Sequence, residues 1–280
     1  MAISEGRGFE YGVFHIKPDH SAPLIDCVCT ELELETTKVQ ELLDFGAVYL
    51  NQDRVFKNQD VAAGDLIRVH KTPRRFEVES IDWQARIVSE EVDFLVINKP
   101  RGVPCHSSVD NFYENVLQQL QKKMRSSLFI TNRLDVPTGG LLVLAKSKTF
   151  QSEFNILLAE KKIKKIYKAI VPGNCNLSGL LTHYMEPMPT APKKLSFVPK
   201  HGFLKCQLEI LNSYFDQENN QSELFIDLIT GRTHQIRAQL AEMSFPILGD
   251  TQYDGIVDEK NKISLWCTKL QFKQYEFELT

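Results

Sequence analysis

Two uninterrupted apolar runs, Phe94-Leu95-Val96-Ile97 and Leu141-Leu142-Val143-Leu144-Ala145, are each bounded by turn residues, the pattern of strands buried on both faces. Beyond them the period changes. Phe150, Phe154, Leu157 and Leu158 recur at i, i+4, i+7 and i+8, which lays one apolar stripe along a helix. Leu224-Phe225-Ile226-Asp227-Leu228 predicts another strand, entered from the polar loop Asp216-Gln217-Glu218-Asn219-Asn220-Gln221. Nearer the start, Leu32 and Leu34 alternate with Glu31, Glu33 and Glu35, and Thr36 to Leu43 then reads as a helix closed by Gly46. Ala47 to Asn51 predicts a short strand, and Gly64 to Val69 a turn followed by a second one. Lys71-Thr72-Pro73-Arg74-Arg75 is basic and broken by proline, as a linker would be. Segregated strands and helices predict an α+β fold and not a wound parallel sheet. The expected division is a small α/β domain over 1–75 and a larger domain over 76–280.

Composition narrows the class. With 280 residues, 42 % of them hydrophobic, the chain is long enough to bury a substantial core. Charged residues at 25 % and aromatics at 10 % exclude a disordered, collagenous or coiled-coil chain. The net charge of −3 excludes a uniformly basic protein but leaves room for a local basic groove. No apolar run approaches the roughly 20 residues that span a bilayer. Met1 to Tyr11 carry Glu5 and Glu10 and no apolar leader segment, so the expected location is the cytoplasm. Cys27 and Cys29 form a C-x-C, while Cys105, Cys175, Cys206 and Cys267 are scattered. With no second close pair, the expectation is buried, reduced thiols and no metal site.

Four islands carry candidate chemistry: Asn98-Lys99-Pro100-Arg101-Gly102-Val103-Pro104, Asn132 to Gly140, Lys165 to Val171, and Thr230 to Arg237 followed by Pro246 to Asp250. Asp135 lies in a turn shaped by Pro137, Gly139 and Gly140 against predicted buried strands. A carboxylate there needs a partner or it neutralises. Arg133, Arg232 and Arg237 are the available cations, and an arginine-paired aspartate is a usable nucleophile or base. The same pairing also serves an aspartate that only caps a turn.

In their order and spacing, these islands resemble the RluA-like RNA pseudouridine synthases, over about Ile87 to Gln274. Arg133-Leu134-Asp135 is similar to the family's signature around its catalytic aspartate. Thr230-Gly231-Arg232-Thr233-His234-Gln235-Ile236-Arg237 matches a family motif without a change, and Pro246 to Asp250 matches the segment that follows it. The resemblance implies a catalytic domain built on a mixed, mostly antiparallel sheet with flanking helices. It also implies an isomerase that needs no cofactor and acts on ribosomal or transfer RNA as a monomer: a uridine loses its N-glycosidic bond, the base turns, and a carbon–carbon bond forms. Asp135 is then the nucleophile or ribose-side catalyst, with the base and the anomeric carbon both open as its target. Arg237 pairs with that carboxylate, and the Tyr167 ring stacks on the target base with its hydroxyl near the proton to be removed.

The same likeness fills the substrate side. A stacked uracil cannot meet a carboxylate, so the nucleotide must leave the helix. Arg133 is implied to enter the vacated space, with a phosphate or carboxylate contact as the alternative. Arg232 is expected to organise its loop, and Leu265 to pack near the base or in the core. Lys165 belongs to a cluster with Lys161, Lys162, Lys164 and Lys168 that leads to Tyr167 and suits an RNA backbone. Lys193 and Lys194, and Lys71 with Arg74 and Arg75, extend the basic path.

The match has departures. Asn132 stands where the family usually has histidine, Gly139 where it has serine, Gln239 where a histidine is common, and Ser244-Phe245 where Gly-His precedes Pro246. Thr182-His183-Tyr184-Met185-Glu186-Pro187 is a further distinctive island, read as a loop. Residues 1–75 resemble a degenerate S-four-like RNA-binding module, with Glu31, Glu33, Glu35 and Glu41 where basic residues are usual. Two other functions follow from other classes. A non-catalytic RNA-binding or remodelling protein would not need Asp135, Tyr167 and Arg237 together. An aspartate glycosidase would want paired carboxylates, and no second acid accompanies Asp135 in these motifs.

Overall fold

The computed structural model describes residues 2–4, 12–188, 191–257 and 262–279. Most of Met1 to Tyr11, read above for a leader segment, lies outside the described residues. The chain folds as two compact units, Met1–Glu79 with His106–Gln119, and Ser80–Cys105 with Leu120–Thr280.

In the first unit, helices Leu24–Leu32 and Thr36–Asp44 accompany a sheet ordered Ala2–Ser4, Val13–Lys17, Ile67–His70, Val48–Leu50, Asp53–Val55. Leu24, Val28, Val39, Leu42, Val48, Ile67 and Val69 are fully buried between them. Gly46, at φ 66°, ends the second helix as its spacing predicts, its N–H donating to Leu43 O at 2.8 Å. The alternation around Leu32 is not a strand. It straddles a helix end, where Glu33 takes the left-handed conformation at φ 52°. The basic linker is also tied down. Arg74 donates to Asp110 from Nε (2.9 Å) and Nη2 (2.7 Å), and Arg75 Nη2 donates to Glu114 Oε1 (2.8 Å). These pairs explain why residues 106–119 fold with the first unit and not with the chain that follows.

The second unit is organised by a sheet of eleven strands among the described residues. Its main path runs Leu195–Ser196, Gly179–Met185, Leu204–Asp216, Gln221–Asp227, Ile163–Pro172, Leu265–Phe272, Gly139–Ala145, Phe94–Lys99, Ile87–Glu90. Phe129–Ile130 and Tyr275–Glu278 pair beside it. Gly139–Ala145 runs parallel to Leu265–Phe272, and the other pairings described in this sheet are antiparallel. With its flanking helices this is the expected α+β arrangement. The two apolar runs are neighbouring strands, Val143 opposite Val96, and every residue of Gly139–Ala145 is buried. Helix Lys148–Ala159 starts where Ser147 Oγ accepts from Phe150 N at 3.2 Å. Its Phe150 and Phe154 pack on Phe94 and Phe272, with ring centroids 4.9 Å and 5.1 Å apart for the closest pairs.

Two local expectations change. The polar loop after Asp216 shrinks to 217–220, because Asp216 and Gln221 pair as the ends of two strands. Thr182 to Met185 is not a loop but the second half of strand Gly179–Met185, with His183 and Met185 buried on one face.

Candidate active site

Asp135 occupies the irregular segment between Phe129–Ile130 and Gly139–Ala145, and three buried groups fix that segment. Lys99, 1 % exposed at the end of its strand, donates from Nζ to the carbonyls of Pro100 (3.0 Å), Val136 (3.1 Å) and Thr138 (2.7 Å). Burial pushes its ammonium down to about 8, against the upward pull of Cys105 and the Asp135 charge. Cys105 clamps the residue before the aspartate: its thiol donates to Leu134 O at 3.2 Å and accepts from Leu134 N at 3.3 Å. Gly140 closes the segment onto the sheet. At φ +103° a Cβ there would lie 2.2 Å from Cys267 O and 2.6 Å from Cys267 N, so only glycine lets the two strands meet.

Arg237 is carried by helix Gln235–Glu242. Its Nη1 lies 4.0 Å from Asp135 Oδ2. The aspartate side chain is 24 % exposed and the arginine 4 %. The tighter partner of Arg237 is Asp250, which is fully buried. Nε donates to Oδ2 at 2.6 Å and Nη2 to Oδ1 at 2.7 Å, while Nη2 also donates to Gln252 Oε1 at 2.9 Å. The guanidinium lies 5.0 Å from the Tyr253 ring centroid, and the Tyr253 hydroxyl meets His234 Nδ1 at 3.1 Å. A second acid therefore does accompany the site, correcting the sequence expectation. It holds the arginine by two hydrogen bonds, and the arginine spans the two carboxylates.

Tyr167 lies on strand Ile163–Pro172, opposite Cys267, where the register shifts by a bulge. Burial pushes its phenol well above the ordinary value, with Cys267 and the Asp135 charge adding to the rise. Cys267 itself is pushed up to about 12 by the same burial. Both groups are neutral at physiological pH, so Tyr167 offers a ring and an O–H donor, not a phenolate.

The remaining sequence candidates are spread around this centre. Lys165 extends toward the motif loop, its Nζ 3.6 Å from where a Cβ on Gly231 would sit, and burial lowers its pKa. Leu265 is 3 % exposed, opposite Ala169. Arg133 and Arg232 are exposed. Arg232 organises its loop through its backbone N–H, which donates to Gln235 Oε1 at 3.1 Å. The lysine cluster is partly neutralised by Lys162–Glu160 (2.8 Å), Lys168–Glu223 (2.6 Å) and Lys164–Asp227 (3.9 Å). Sequence reasoning gave no role to Lys99, Cys105, Asp250 or Gln252. The signal for Asp250 was its place in a motif already singled out. No group of three or more potential metal ligands occurs among the described residues, nor does a helix long and apolar enough to cross a membrane.

Residues 93–242, more than half of the chain, match the family model described as RNA pseudouridylate synthase. The chain belongs to this family. It is 34 % identical over 218 residues to RNA pseudouridine synthase 6, chloroplastic, of Oryza sativa subsp. japonica, a match covering 70 % of this chain and 46 % of that protein. It is 30 % identical over 255 residues to ribosomal large subunit pseudouridine synthase D of Haemophilus influenzae, covering 86 % and 76 %. The chain thus spans about half the length of the plant relatives and three quarters of the bacterial one. The fold is shared with human RNA pseudouridylate synthase domain containing 4, at a TM-score of 0.58 and 21 % identity over 71 % of this chain and 90 % of that one. All seven sequence candidates belong to the second unit, and the aspartate, the arginine and the tyrosine lie on three different segments of it.

Proposed function

We propose that this chain is an RNA pseudouridine synthase. The observation that carries the reading is the partly exposed Asp135 carboxylate, 4.0 Å from a buried guanidinium, in a chain of this family. In the reaction the N1–C1′ bond of a uridine breaks, a C5–C1′ bond forms, C5 loses its proton and N1 gains one. Asp135 acts as nucleophile or ribose-side catalyst, with Oδ2 turned to Arg237. Tyr167 supplies a neutral ring against the everted base, and Arg133 enters the space the base leaves. Lys165 and Arg232 lie on the substrate side, with Leu265 packed beside the base. The substrate is ribosomal or transfer RNA; the names of the bacterial relatives, which are ribosomal large subunit synthases, favour the former. The chain acts as a cytoplasmic monomer without a cofactor. The domains follow the sequence division in outline, about 1–75 as a degenerate S-four-like module and about 76–280 as the catalytic domain, except that residues 106–119 fold with the first unit.

The test is tritium release from RNA labelled at uridine C5, together with reverse-transcription mapping in cells lacking the gene. Wild type is expected to release label and restore specific sites, and Asp135→Asn to do neither. Full restoration by Asp135→Asn would refute the reading and favour a protein that only binds RNA.

A further inference from the structure

The island Thr182 to Pro187 plays no part in the reaction outlined above, yet its histidine lies at the end of a hydrogen-bond chain that leads to the helix carrying Arg237. His183 is 1 % exposed, and Gln239, fully buried, donates from Nε2 to its Nδ1 at 2.9 Å. Gln239 Oε1 accepts from Gln235 Nε2 at 2.9 Å. Gln235 Oε1 accepts from Thr230 Oγ1 at 2.8 Å and from Arg232 N at 3.1 Å, and its Nε2 also donates to Gln207 O at 3.0 Å. Thr182 joins the same knot, its hydroxyl accepting from Gln207 Nε2 at 3.1 Å.

The chain has one possible polarity. A backbone N–H only donates and a backbone carbonyl only accepts. Arg232 N therefore demands the oxygen of Gln235, and Gln207 O demands its nitrogen. With Gln235 so oriented, its amide N–H requires the oxygen of Gln239, and the Gln239 nitrogen must then point at His183. Nδ1 has to present a lone pair, which leaves the ring proton on Nε2. That atom is buried without a hydrogen-bond partner among the described residues, and the Phe197 ring meets the imidazole at 4.8 Å and 61°. Burial lowers the His183 pKa, opposed by the Glu242 charge from the same helix; Cys206 faces it from the neighbouring strand, its thiol donating to His183 O at 3.3 Å. Helix Gln235–Glu242 has no side-chain cap and begins at His234 in the left-handed conformation. Gln235 and Gln239, four residues apart, anchor one face of it, while Arg237, on the other face, is held by Asp250 and Gln252.

We propose that His183 is a positioning residue, its Nδ1 acceptor fixing the Gln239–Gln235 amide chain and so the seat of the helix from which Arg237 faces Asp135. This rests on the functional reading above.

Long-range 1H–15N spectra of the full-length, 15N-histidine-labelled protein give the tautomer, with His183→Asn identifying the signal. An unprotonated, pyridine-like Nδ1 is expected in wild type. Gln239→Glu, which offers Nδ1 only acceptors, is expected to move a proton onto it. His183→Leu is expected to lower kcat by about ten- to a hundredfold, as small displacements of a positioned group do. KM should stay within about twofold, since no substrate contact is lost. The Arg237 Nε–H resonance should shift in the same variant. His183→Asn, whose Oδ1 can replace the acceptor, is expected to restore both. A protonated Nδ1 in wild type, or an unmoved Arg237 resonance and unchanged kcat in His183→Leu, would overturn the proposal. A wild-type protein without isomerase activity would overturn the functional reading instead, while the tautomer and the Arg237 resonance still decide this one.

Discussion

Asp135 and Asp250 face the same arginine but should fail in opposite ways when neutralised. At 4.0 Å and an effective dielectric of about 20, the Asp135–Arg237 attraction is about 4 kcal/mol before desolvation. With a quarter of the Asp135 side chain exposed, solvent screening leaves about 1 kcal/mol or less. Asp135→Asn should therefore abolish isomerisation and barely change stability. Asp250 is fully buried and holds the guanidinium by two short hydrogen bonds. Asp250→Asn puts an amide donor against a donor and leaves a buried cation short of its counter-charge, a change that costs about 3–5 kcal/mol. Urea unfolding followed by tryptophan fluorescence measures this directly, because Trp83 and Trp266 both belong to the second unit. Equal stability losses in the two variants, or a loss below about 1 kcal/mol for Asp250→Asn, would refute the division of labour between the carboxylates.

Lys99 gives a pH signature. As an amine it keeps two N–H donors for three carbonyls, so kcat should fall above about pH 8, a limb missing in an otherwise active Lys99→Arg protein. Its stability contribution has the other sign: the folded pKa lies below that of the unfolded chain, so the unfolded state binds more protons between about 8 and 10.5, and stability gained there in wild type should vanish in Lys99→Met urea titrations. Gly140→Ala should leave little soluble second unit, since its Cβ meets backbone and not a movable side chain; native-like yield and unfolding midpoint would disprove the close approach. Tyr167→Phe should retain RNA affinity in filter binding and show no change in the alkaline limb of its rate profile, because the phenol it replaces is neutral throughout that range.

What the sequence made legible was whatever depends on near neighbours. Buried strands such as Phe94–Lys99 and Gly139–Ala145 show as apolar runs because both faces are covered, and the stripe through Phe150 and Phe154 shows because a helix repeats it. Asp135 and Arg237 were visible through motif order alone. The Arg237–Asp250 pairing was not, since two side chains thirteen residues apart gain their geometry from a folded-back turn that leaves no periodic trace. Strand Gly179–Met185 was misread for a related reason: Thr, His and Tyr are polar by type, but His183 is buried with a partner from helix Gln235–Glu242. Glu33 likewise hid a helix end inside an alternation, because glutamate is an unusual occupant of a left-handed cap.

The strand Leu265–Phe272 lies in the middle of the large sheet, hydrogen-bonded to Gly139–Ala145 on one side and Ile163–Pro172 on the other. During synthesis the aspartate and tyrosine segments leave the ribosome more than ninety residues before the strand that joins them. Until it docks, each waits with an open edge, and nascent chains halted short of Leu265 should be protease-sensitive at both segments.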